Sequence, residues 1–269
     1  MDQDDLAHFR QAFSVLQGHG KEPFPWQERL FREFVAGQIP SALDLPTGLG
    51  KTSVMAIWLI ARGLSDDGFY SSLPRRLVYV VDRRAVVDQA SAEAERIRSG
   101  LKQSGLDLTR LGLGDVELPI STLRGQHIDN RDWLADPTAS AIIVGTVDMI
   151  GSRLLFSGYG VSPKMRPFHA GLLGADTLVV LDEAHLVPPF EALLKVIAGD
   201  NGRFGPRSEE DRKIIPPFRV LSLSRRPAAR IQTNKTTQAS MVDAEQFSGS
   251  MRMTAGIPLS PSASALRRS

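Results

Sequence analysis

Residues 41–52 read SALDLPTGLGKT, a stretch whose pattern is typical of one class of α/β fold. Residues 41–45 have the pattern of a short strand, and an apolar helix pattern follows at residues 52–62. Between them, Gly48 and Gly50 let the backbone wrap closely, so that successive N–H groups point towards phosphate oxygens. The helix presents its positive N-terminus to the same anion. The stretch therefore predicts a phosphate-binding turn between a strand and a helix.

The side chains that end this turn fit a nucleoside triphosphate and Mg²⁺. Lys51 is placed to reach the β- and γ-phosphates, and the Thr52 hydroxyl is placed to bind Mg²⁺. The turn departs from the pattern G-x-x-x-x-G-K-[ST] at its first position, where Leu45 stands. The alternative is an incidental glycine turn before a helix, but the strand, turn and helix context favours the nucleotide site. The predicted cofactors are ATP and Mg²⁺, and the predicted nucleotide-binding residues of the turn are Pro46, Thr47, Gly48, Leu49, Gly50, Lys51 and Thr52.

A second segment, LVVLDEAH at residues 178–185, supplies the carboxylates that such a site needs. Four apolar residues place Asp182 at the C-terminal edge of a strand, where open α/β sheets bind ligands. Asp182 is the predicted Mg²⁺ ligand, partly through water. Glu183 is placed to orient and deprotonate an attacking water, and His185 to link the site to the rest of the domain. A solvated acidic pair at a strand end is the alternative; the pairing with Lys51 argues against it, and we predict Glu183 and Lys51 as catalytic residues.

Gln27 lies in PFPWQ, upstream of the phosphate-binding turn. Its amide offers one donor and one acceptor, the complement of adenine N6 and N7, and Phe24 or Trp26 is placed to pack on the base. Aromatic residues at a helix start more often belong to the core, so adenine reading and core packing both remain open for this segment.

Strand and helix patterns alternate along residues 1–224. Such alternation indicates βαβ units and an α/β fold, with a mostly parallel sheet covered by helices on both faces. Residues 63–75 and 200–217 are rich in glycine, proline and charge, which predicts surface connections. Apart from the first strand, the predicted strands lie at residues 76–81, 139–145, 177–181 and 220–223, and the predicted helices at 5–17, from Pro25 onwards, at 52–62 and at 83–101.

Charge and composition restrict the possible partners. The chain has 32 basic and 30 acidic residues, of which seven basic and two acidic residues lie in residues 225–269. Residues 1–224 therefore contain 25 basic and 28 acidic residues and have a net charge of −3. Any nucleic-acid site on this body must therefore be local. No apolar run has membrane-spanning length, so we expect no membrane contact. The chain contains no cysteine, which agrees with a reducing cytoplasm.

Five segments together resemble the first motor domain of a superfamily 2 DEAH helicase. The segments are, in order, PFPWQ, PTGLGKT, VVDRRAVVDQ, GTVDMI and DEAH. The longer stretches VYVVDRRAVVDQA and IIVGTVDMIGSRLLFSGYG resemble the CRISPR-associated helicase–nuclease of type I systems, subtype I-U or I-G. The resemblance covers about residues 10–224. It implies a RecA-like P-loop NTPase domain, which we assign to residues 1–224.

The resemblance also implies contacts with single-stranded DNA. Arg83 or Arg84, in residues 81–89, would contact its backbone together with a helix N-terminus, and residues 122–125 and 145–148 would be further turns that follow the strand. Backbone amides, hydroxyls and a few arginines hold phosphates without reading bases. The alternatives are a solvated helix start for the two arginines and a helix N-cap for Thr146. The predicted nucleic-acid contacts are Arg83, Arg84, Arg124 and Thr146.

The pattern changes abruptly after Ser224. In superfamily 2 helicases a Ser-Ala-Thr motif follows the strand after DEAH, whereas Ser224 is followed here by Arg225-Arg226-Pro227. Losing one base from codons for Ser-Ala-Thr-Pro yields Ser-Arg-Arg-Pro. We therefore expect residues 225–269 to be a disordered, out-of-frame tail, although a genuine disordered tail would look similar.

The sequence as a whole predicts the N-terminal motor half of a CRISPR-associated ATP-dependent DNA helicase, working with a guide-RNA surveillance complex. Such a helicase needs a second RecA-like domain, so we expect this chain alone to unwind nothing. The five histidines include no His-Asp pair that would indicate the nuclease. Another DEAH-type translocase of a restriction or repair system, and a non-enzymatic truncated binding module, are the alternatives.

Overall fold

A computed structural model describes residues 3–18, 20–46, 48–64, 73–124, 127–128, 132–199 and 208–224. Residues Met1–Asn234 group into one compact unit, and all the described residues belong to it. The second unit, Lys235–Ser269, and the whole predicted tail from residue 225 lie outside the described residues. Within the described part, no helix is both long and apolar enough to cross a bilayer.

Seven strands form one sheet in the described residues, in the order β1-β7-β6-β2-β5-β3-β4. All neighbours are parallel except β3 and β4, which pair antiparallel at one edge. This arrangement confirms the α/β fold class with a mostly parallel sheet. The strands are β1 (Ala42–Asp44), β2 (Arg76–Val81), β3 (Ile120–Arg124), β4 (His127–Ile128), β5 (Ala141–Thr146), β6 (Thr177–Leu181) and β7 (Arg219–Ser224).

Helices cover both faces of this sheet, which explains why the central strands are predominantly apolar. On β2, Tyr79 packs into the core on one face and Val78 and Val80 into the core on the other. The first core includes residues of α1 to α4, and the second includes residues of α5 to α8. The helices are α1 (Gln3–Gln17), α2 (Pro25–Val35), α3 (Val54–Leu64), α4 (Arg84–Leu101), α5 (Asp132–Ala135), α6 (Val147–Leu154), α7 (Arg166–Gly174), α8 (Pro188–Gly199) and α9 (Glu209–Ile214).

Three local predictions need correction. Residues 122–124, predicted as part of a turn, belong to β3, whose Ser121 and Thr122 are buried although polar. A polar dipeptide carries no strand signal of its own, and the partners β4 and β5 define the strand. The helix predicted from Thr52 begins as a 3-10 turn at Lys51–Ser53, and α3 follows from Val54. The connection predicted at residues 200–217 contains the short helix α9.

A buried charge cluster closes the N-terminal edge of the sheet. The Asp176 carboxylate, just before β6, accepts a hydrogen bond from the Arg75 N–H at 2.8 Å and lies 3.8 Å from Arg76 Nη2. The Asp176 N–H donates to the Pro216 carbonyl at 2.8 Å, which ties the approach to β7 to the same point. Burial lowers the pKa of the nearby Arg62 to about 10, and the charge of Asp176 opposes that shift. One carboxylate therefore compensates several guanidinium groups here.

We predict that Asp176→Asn destabilises the domain by about 2 kcal/mol, because it leaves buried guanidinium groups without their counter-charge. Asparagine keeps the size of the side chain and tolerates the left-handed backbone at this position, where φ is 52°. The free energy of unfolding in urea measures the effect. Asp115→Asn, at an exposed position, is the matched control and should change it by less than about 0.5 kcal/mol. Equal effects of the two changes would contradict a structural role for the cluster.

Candidate functional site

The phosphate-binding turn leaves the C-terminal end of β1 and is anchored by β7. The Leu45 N–H donates to the Ser224 carbonyl at 3.0 Å, and the Ser224 hydroxyl bonds to the Asp44 carboxylate. Gly48 and Gly50 have φ of 86° and 69°, a conformation that side chains with a Cβ rarely adopt. At Gly50 the added Cβ would meet only ordinary contacts, so the backbone conformation and not space requires glycine. Thr47, a predicted site residue, lies outside the described residues.

Lys51 and Glu183 meet although 132 residues separate them in the chain. Lys51 Nζ lies 2.7 Å from Glu183 Oε1, and only 8% of the Lys51 side chain is exposed. Lys51 follows β1 and Glu183 follows β6, and β7 lies between these two strands. The structure thus brings the two predicted catalytic residues together at the C-terminal edge of the sheet, where α/β folds bind ligands.

The Asp182-Glu183 turn after β6 is both strained and partly desolvated. Glu183 has left-handed backbone angles, φ 49° and ψ 45°, which cost a residue with a Cβ about 1–2 kcal/mol. Its N–H donates to Asp182 Oδ1 at 2.9 Å, and the Asp182 N–H donates to the Val80 carbonyl at 2.9 Å. Burial raises the pKa of Asp182 above its ordinary value. These contacts hold both carboxylates at fixed positions above the strand end.

Tyr79 is a member of the site that sequence reasoning missed. It lies in the middle of β2, fully buried, and its hydroxyl has no regular hydrogen bond to any described residue. Burial, followed by the negative charge of Asp182, raises the pKa of Tyr79 well above its ordinary value, so the phenol is neutral. A neutral hydroxyl beside Asp182 can donate a hydrogen bond to that carboxylate. A tyrosine inside an apolar strand gives no sequence signal of a role in the site, because its neighbour Asp182 follows a different strand.

Asp182 and the Thr52 hydroxyl are the predicted Mg²⁺ ligands. In the described residues no group of three or more His, Cys, Asp or Glu side chains surrounds a possible metal position. Mg²⁺ uses one or two carboxylates and completes its shell with water and substrate phosphates. The half-buried Thr52 and Asp182 therefore fit Mg²⁺ that arrives with a nucleotide, and they do not form a dedicated metal cage.

Gln27 is buried behind the turn. Its Nε2 donates to the Ser53 hydroxyl at 2.7 Å, and its Oε1 accepts from the Phe24 N–H at 2.7 Å. The first contact fixes the 3-10 turn that follows Gly50, and the second fixes the start of α2. Phe24 is 46% exposed, whereas Trp26 packs partly against the core. Recognition of adenine by Gln27 remains a prediction. Of the two aromatic residues, Phe24 is the one that a base can reach.

His185 and Arg83 share a cleft of about 330 Å³ with the two carboxylates. His185 Nδ1 lies 3.4 Å from Glu183 Oε2, so Glu183 contacts both Lys51 and His185. The cleft is also lined by Asp82, whose carboxylate lies 3.6 Å from Arg83 Nε. The residues that follow β2 and those that follow β6 thus line the same cleft. The separate sequence motifs do not show that these two segments are neighbours.

The four predicted nucleic-acid contacts lie at the ends of adjacent strands. Arg83 and Arg84 follow β2 and are exposed, Arg124 ends β3, and Thr146 ends β5. The Arg124 guanidinium pairs with Asp88 of α4. Thr146 occupies the N-cap position of α6 and is buried, but its side chain makes no capping hydrogen bond. The sheet places all four at the same edge as Asp182.

The Lys51–Glu183 contact predicts an energetic coupling that stability measurements detect. In a double-mutant cycle of Lys51→Met and Glu183→Gln, we expect a coupling of about 1 kcal/mol in the free energy of unfolding, because the pair is largely shielded from water. The i,i+4 helix pair Lys195–Glu191, at 2.6 Å, is the control because its lysine is 53% exposed; it should couple by about 0.3–0.5 kcal/mol. Additive effects of the two site substitutions would contradict the contact.

Solved structures of helicases resemble this fold. The Mycobacterium smegmatis helicase Lhr bound to ssDNA and AMP-PNP superposes with a TM-score of 0.51 at 18% identity, covering 81% of this chain and 24% of that chain. The Pyrococcus furiosus Hef helicase domain gives 0.43 at 20% identity, over 77% and 33% of the two chains. The DEAD-box helicase Mss116 bound to ssRNA and UDP-BeF gives 0.49 at 14% identity, over 83% and 38%. The chain therefore spans well under half the length of each of these structures.

Among curated proteins no relative matches the chain. A family model described as "Type III restriction enzyme, res subunit" matches residues 20–197. The matched range contains Gln27, the phosphate-binding turn and the Asp182-Glu183 turn, so the family likeness and the assembled geometry concern the same residues. The chain belongs to the family of the type III restriction enzyme res subunit, and its fold resembles that of the helicase Lhr.

Proposed function

We propose that this chain binds ATP with Mg²⁺ and forms the first motor domain of an ATP-dependent DNA helicase or translocase. The observation that carries the proposal is the contact between Lys51 and Glu183 beside the glycine turn. A lysine that follows such a turn binds phosphate, and a carboxylate opposite it can activate water. No other part of the described chain brings these two chemistries together at a strand edge.

Nucleotide binding requires the Lys51–Glu183 pair to separate. When the phosphates enter the turn, the Lys51 ammonium moves to the β- and γ-phosphate oxygens, because their charge exceeds that of one carboxylate. Glu183 is then free to accept a proton from the attacking water, and His185, 3.4 Å from its second oxygen, orients it. Thr52 and Asp182 would hold Mg²⁺, which would neutralise charge on the phosphates.

The nucleic-acid partner that we propose is single-stranded DNA, tracked along its backbone. Support comes from the positions of Arg83, Arg84, Arg124 and Thr146 at adjacent strand ends, next to the nucleotide site. Phosphate contacts of this kind carry no sequence information, which suits a motor that moves along any sequence. Arg124 pairs with Asp88 and Arg83 lies 3.6 Å from the Asp82 carboxylate, so each must leave a carboxylate before it can reach a phosphate.

We further propose that the motor belongs to a CRISPR type I interference protein recruited by a guide-RNA surveillance complex. The resemblance of residues 78–90 and 142–160 supports this assignment. A restriction translocase is the second candidate, favoured by the description of the matched family. Genes for guide-RNA complex proteins beside this gene would support the first, and a methyltransferase gene the second.

A titration with a fluorescent ATP analogue and Mg²⁺ tests the nucleotide site. We expect Lys51→Ala to weaken binding at least about 10-fold, because it removes the cation that faces the phosphates. Glu183→Gln should keep binding but lower any ATP hydrolysis by about 100-fold or more, because the amide cannot accept the proton.

The matched control is Lys102→Ala, which removes an exposed lysine at the end of α4 and should change neither quantity. Hydrolysis that survives Lys51→Ala undiminished would come from a contaminant. Together with unchanged nucleotide binding, it would favour the non-enzymatic binding module.

Binding of a labelled dT20 oligonucleotide at several salt concentrations tests the nucleic-acid edge. Arg83→Ala and Arg84→Ala each remove one cation that faces a phosphate, so each should lower the slope of log affinity against log salt by about 0.7. Arg29→Ala, at an exposed position on α2, serves as the control and should leave the slope unchanged. An unchanged slope in both site variants would show that single-stranded DNA does not follow this edge.

A further inference from the structure

A second cavity, of about 460 Å³, lies on the sheet face that α5, α6 and α7 cover. Most of its lining residues are apolar, among them Trp133 of α5, Leu123 of β3, Val161 and Met165, and Arg153 of α6 and His169 of α7 add polar groups to the lining. Trp133 is buried and meets His169 edge to face, with ring centroids 5.3 Å apart. A concave apolar site with a few fixed polar groups has the general form of a binding pocket.

The cavity is separate from the nucleotide site. Its strand residue, Leu123, belongs to β3, and α6 follows β5, so the cavity lies on the β5–β3 side of β2. The phosphate-binding turn and Glu183 follow β1 and β6, on the opposite side of β2. The lining of the cavity shares no residue with the cleft around Asp182.

Arg153 is the unusual member of this cavity. Its side chain is only 1% exposed, yet no carboxylate pairs with it in the described residues. Nη1 donates to the Met149 carbonyl at 2.8 Å and Nη2 to the Tyr159 carbonyl at 3.3 Å, while Nε has no hydrogen-bond partner there. Burial lowers the pKa of Arg153, and no nearby negative charge opposes that shift. A buried cation without a counter-charge is costly, so the site is incomplete as it stands.

The backbone around Arg153 holds it in place. Gly158 and Gly160 have φ of 53° and 69°, and a Cβ on Gly158 would lie 3.0 Å from Val161 and 3.7 Å from Arg153 Cγ. Residues 158–161 can therefore close over the arginine stem only with glycine at position 158. Phe156 also has a left-handed backbone, with φ of 61°, which is unfavourable for a large side chain. This segment forms one wall of the cavity.

The wall of the cavity formed by residues 153–169 is apolar at its exposed positions and carries only positive charge, whereas the α5 wall is flanked by Asp132 and Asp136. Large apolar side chains in residues 155–168 are 40–63% exposed, although such residues are normally buried when they cluster. Between Asp148 and Asp176 the sequence contains no acidic residue, but it contains Arg153, Lys164 and Arg166. The exposed apolar residues are Leu155, Phe156, Tyr159, Met165 and Phe168.

We propose that this cavity and its apolar rim bind a protein partner through a short peptide segment in which an Asp or Glu lies next to a large apolar side chain. The carboxylate enters the cavity and pairs with Arg153, and the apolar neighbour packs against Trp133 and Met165. Interface cores are rich in aromatic residues, methionine and arginine, which is the composition of this surface.

The burial of Arg153 favours a peptide over a nucleic-acid strand as the occupant. Phosphates along a strand are held by exposed cations that reach outwards, such as Arg83, whose side chain is 76% exposed. A carboxylate on a flexible side chain can instead reach a guanidinium at the bottom of an apolar cavity, and the pairing there is strong because water is excluded. The aliphatic part of the rim, Leu155 and Met165, also suits apolar side chains better than bases.

Selection of a random heptapeptide display library against the purified chain tests the proposal. We expect enriched peptides to contain an Asp or Glu beside an aromatic or aliphatic residue. The affinity of synthetic copies should fall at least about 10-fold when the acid is changed to its amide, and by a similar factor with Arg153→Met. Enriched peptides without an acid, equal binding to Arg153→Met, or no enrichment at all would overturn the proposal.

Two variants on the rim keep the test valid if Arg153→Met does not fold. Met165→Glu places a carboxylate at the cavity mouth, so it should raise or maintain the melting temperature while abolishing binding of the acidic peptides. Tyr159→Ser should weaken peptide binding without changing nucleotide binding. Val116→Ser, another exposed apolar position, is the control and should change nothing. If Arg153→Met or Tyr159→Ser lowers the affinity for dT20 and not for the peptides, the surface binds nucleic acid and the proposal is wrong.

Discussion

The parallel insertion of β7 between β1 and β6 is the constraint on which the candidate site depends. The Ser222 N–H bonds to the Ser41 carbonyl and the Leu45 N–H to the Ser224 carbonyl, while Val179 and Val220 pair on the other side. These ladders set the spacing between the phosphate-binding turn and the Asp182-Glu183 turn. Because strand spacing in a sheet is nearly constant, Lys51 can reach Glu183 across one intervening strand.

The buried arginines of the domain illustrate two uses of the same side chain. Arg76 faces Asp176 and three backbone carbonyls, so its burial is compensated and it joins the ends of several elements. Arg153 is buried to a similar degree but bonds only to backbone carbonyls. Since the free-energy cost of a buried charge depends on its counter-charge, the fold compensates the first arginine, whereas no carboxylate of the described residues compensates the second.

Backbone strain occurs at three separate places in the domain, one of which is the candidate site. Glu183 is one of three described residues other than glycine with a positive φ, and the other two are Asp176 of the charge cluster and Phe156 of the cavity rim. At each of these positions the tertiary structure fixes the direction of the side chain, and this outweighs the preference of the backbone for negative φ. Surrounding hydrogen bonds, such as Glu183 N–H to Asp182, keep these conformations in place.

The sequence by itself determined the α/β class and the strands β2, β6 and β7 almost to their ends, because continuous apolar runs can only be buried between two helical layers. It also pointed to Lys51, Asp182 and Glu183 as candidate site residues, since glycine turns and strand-end acids are local patterns. Only the tertiary structure decided the strand order, the Lys51–Glu183 contact, the neighbour of Tyr79 and the missing counter-charge of Arg153. All four features depend on which segments become neighbours in the sheet. The local residue pattern of a segment does not indicate which distant segment it pairs with.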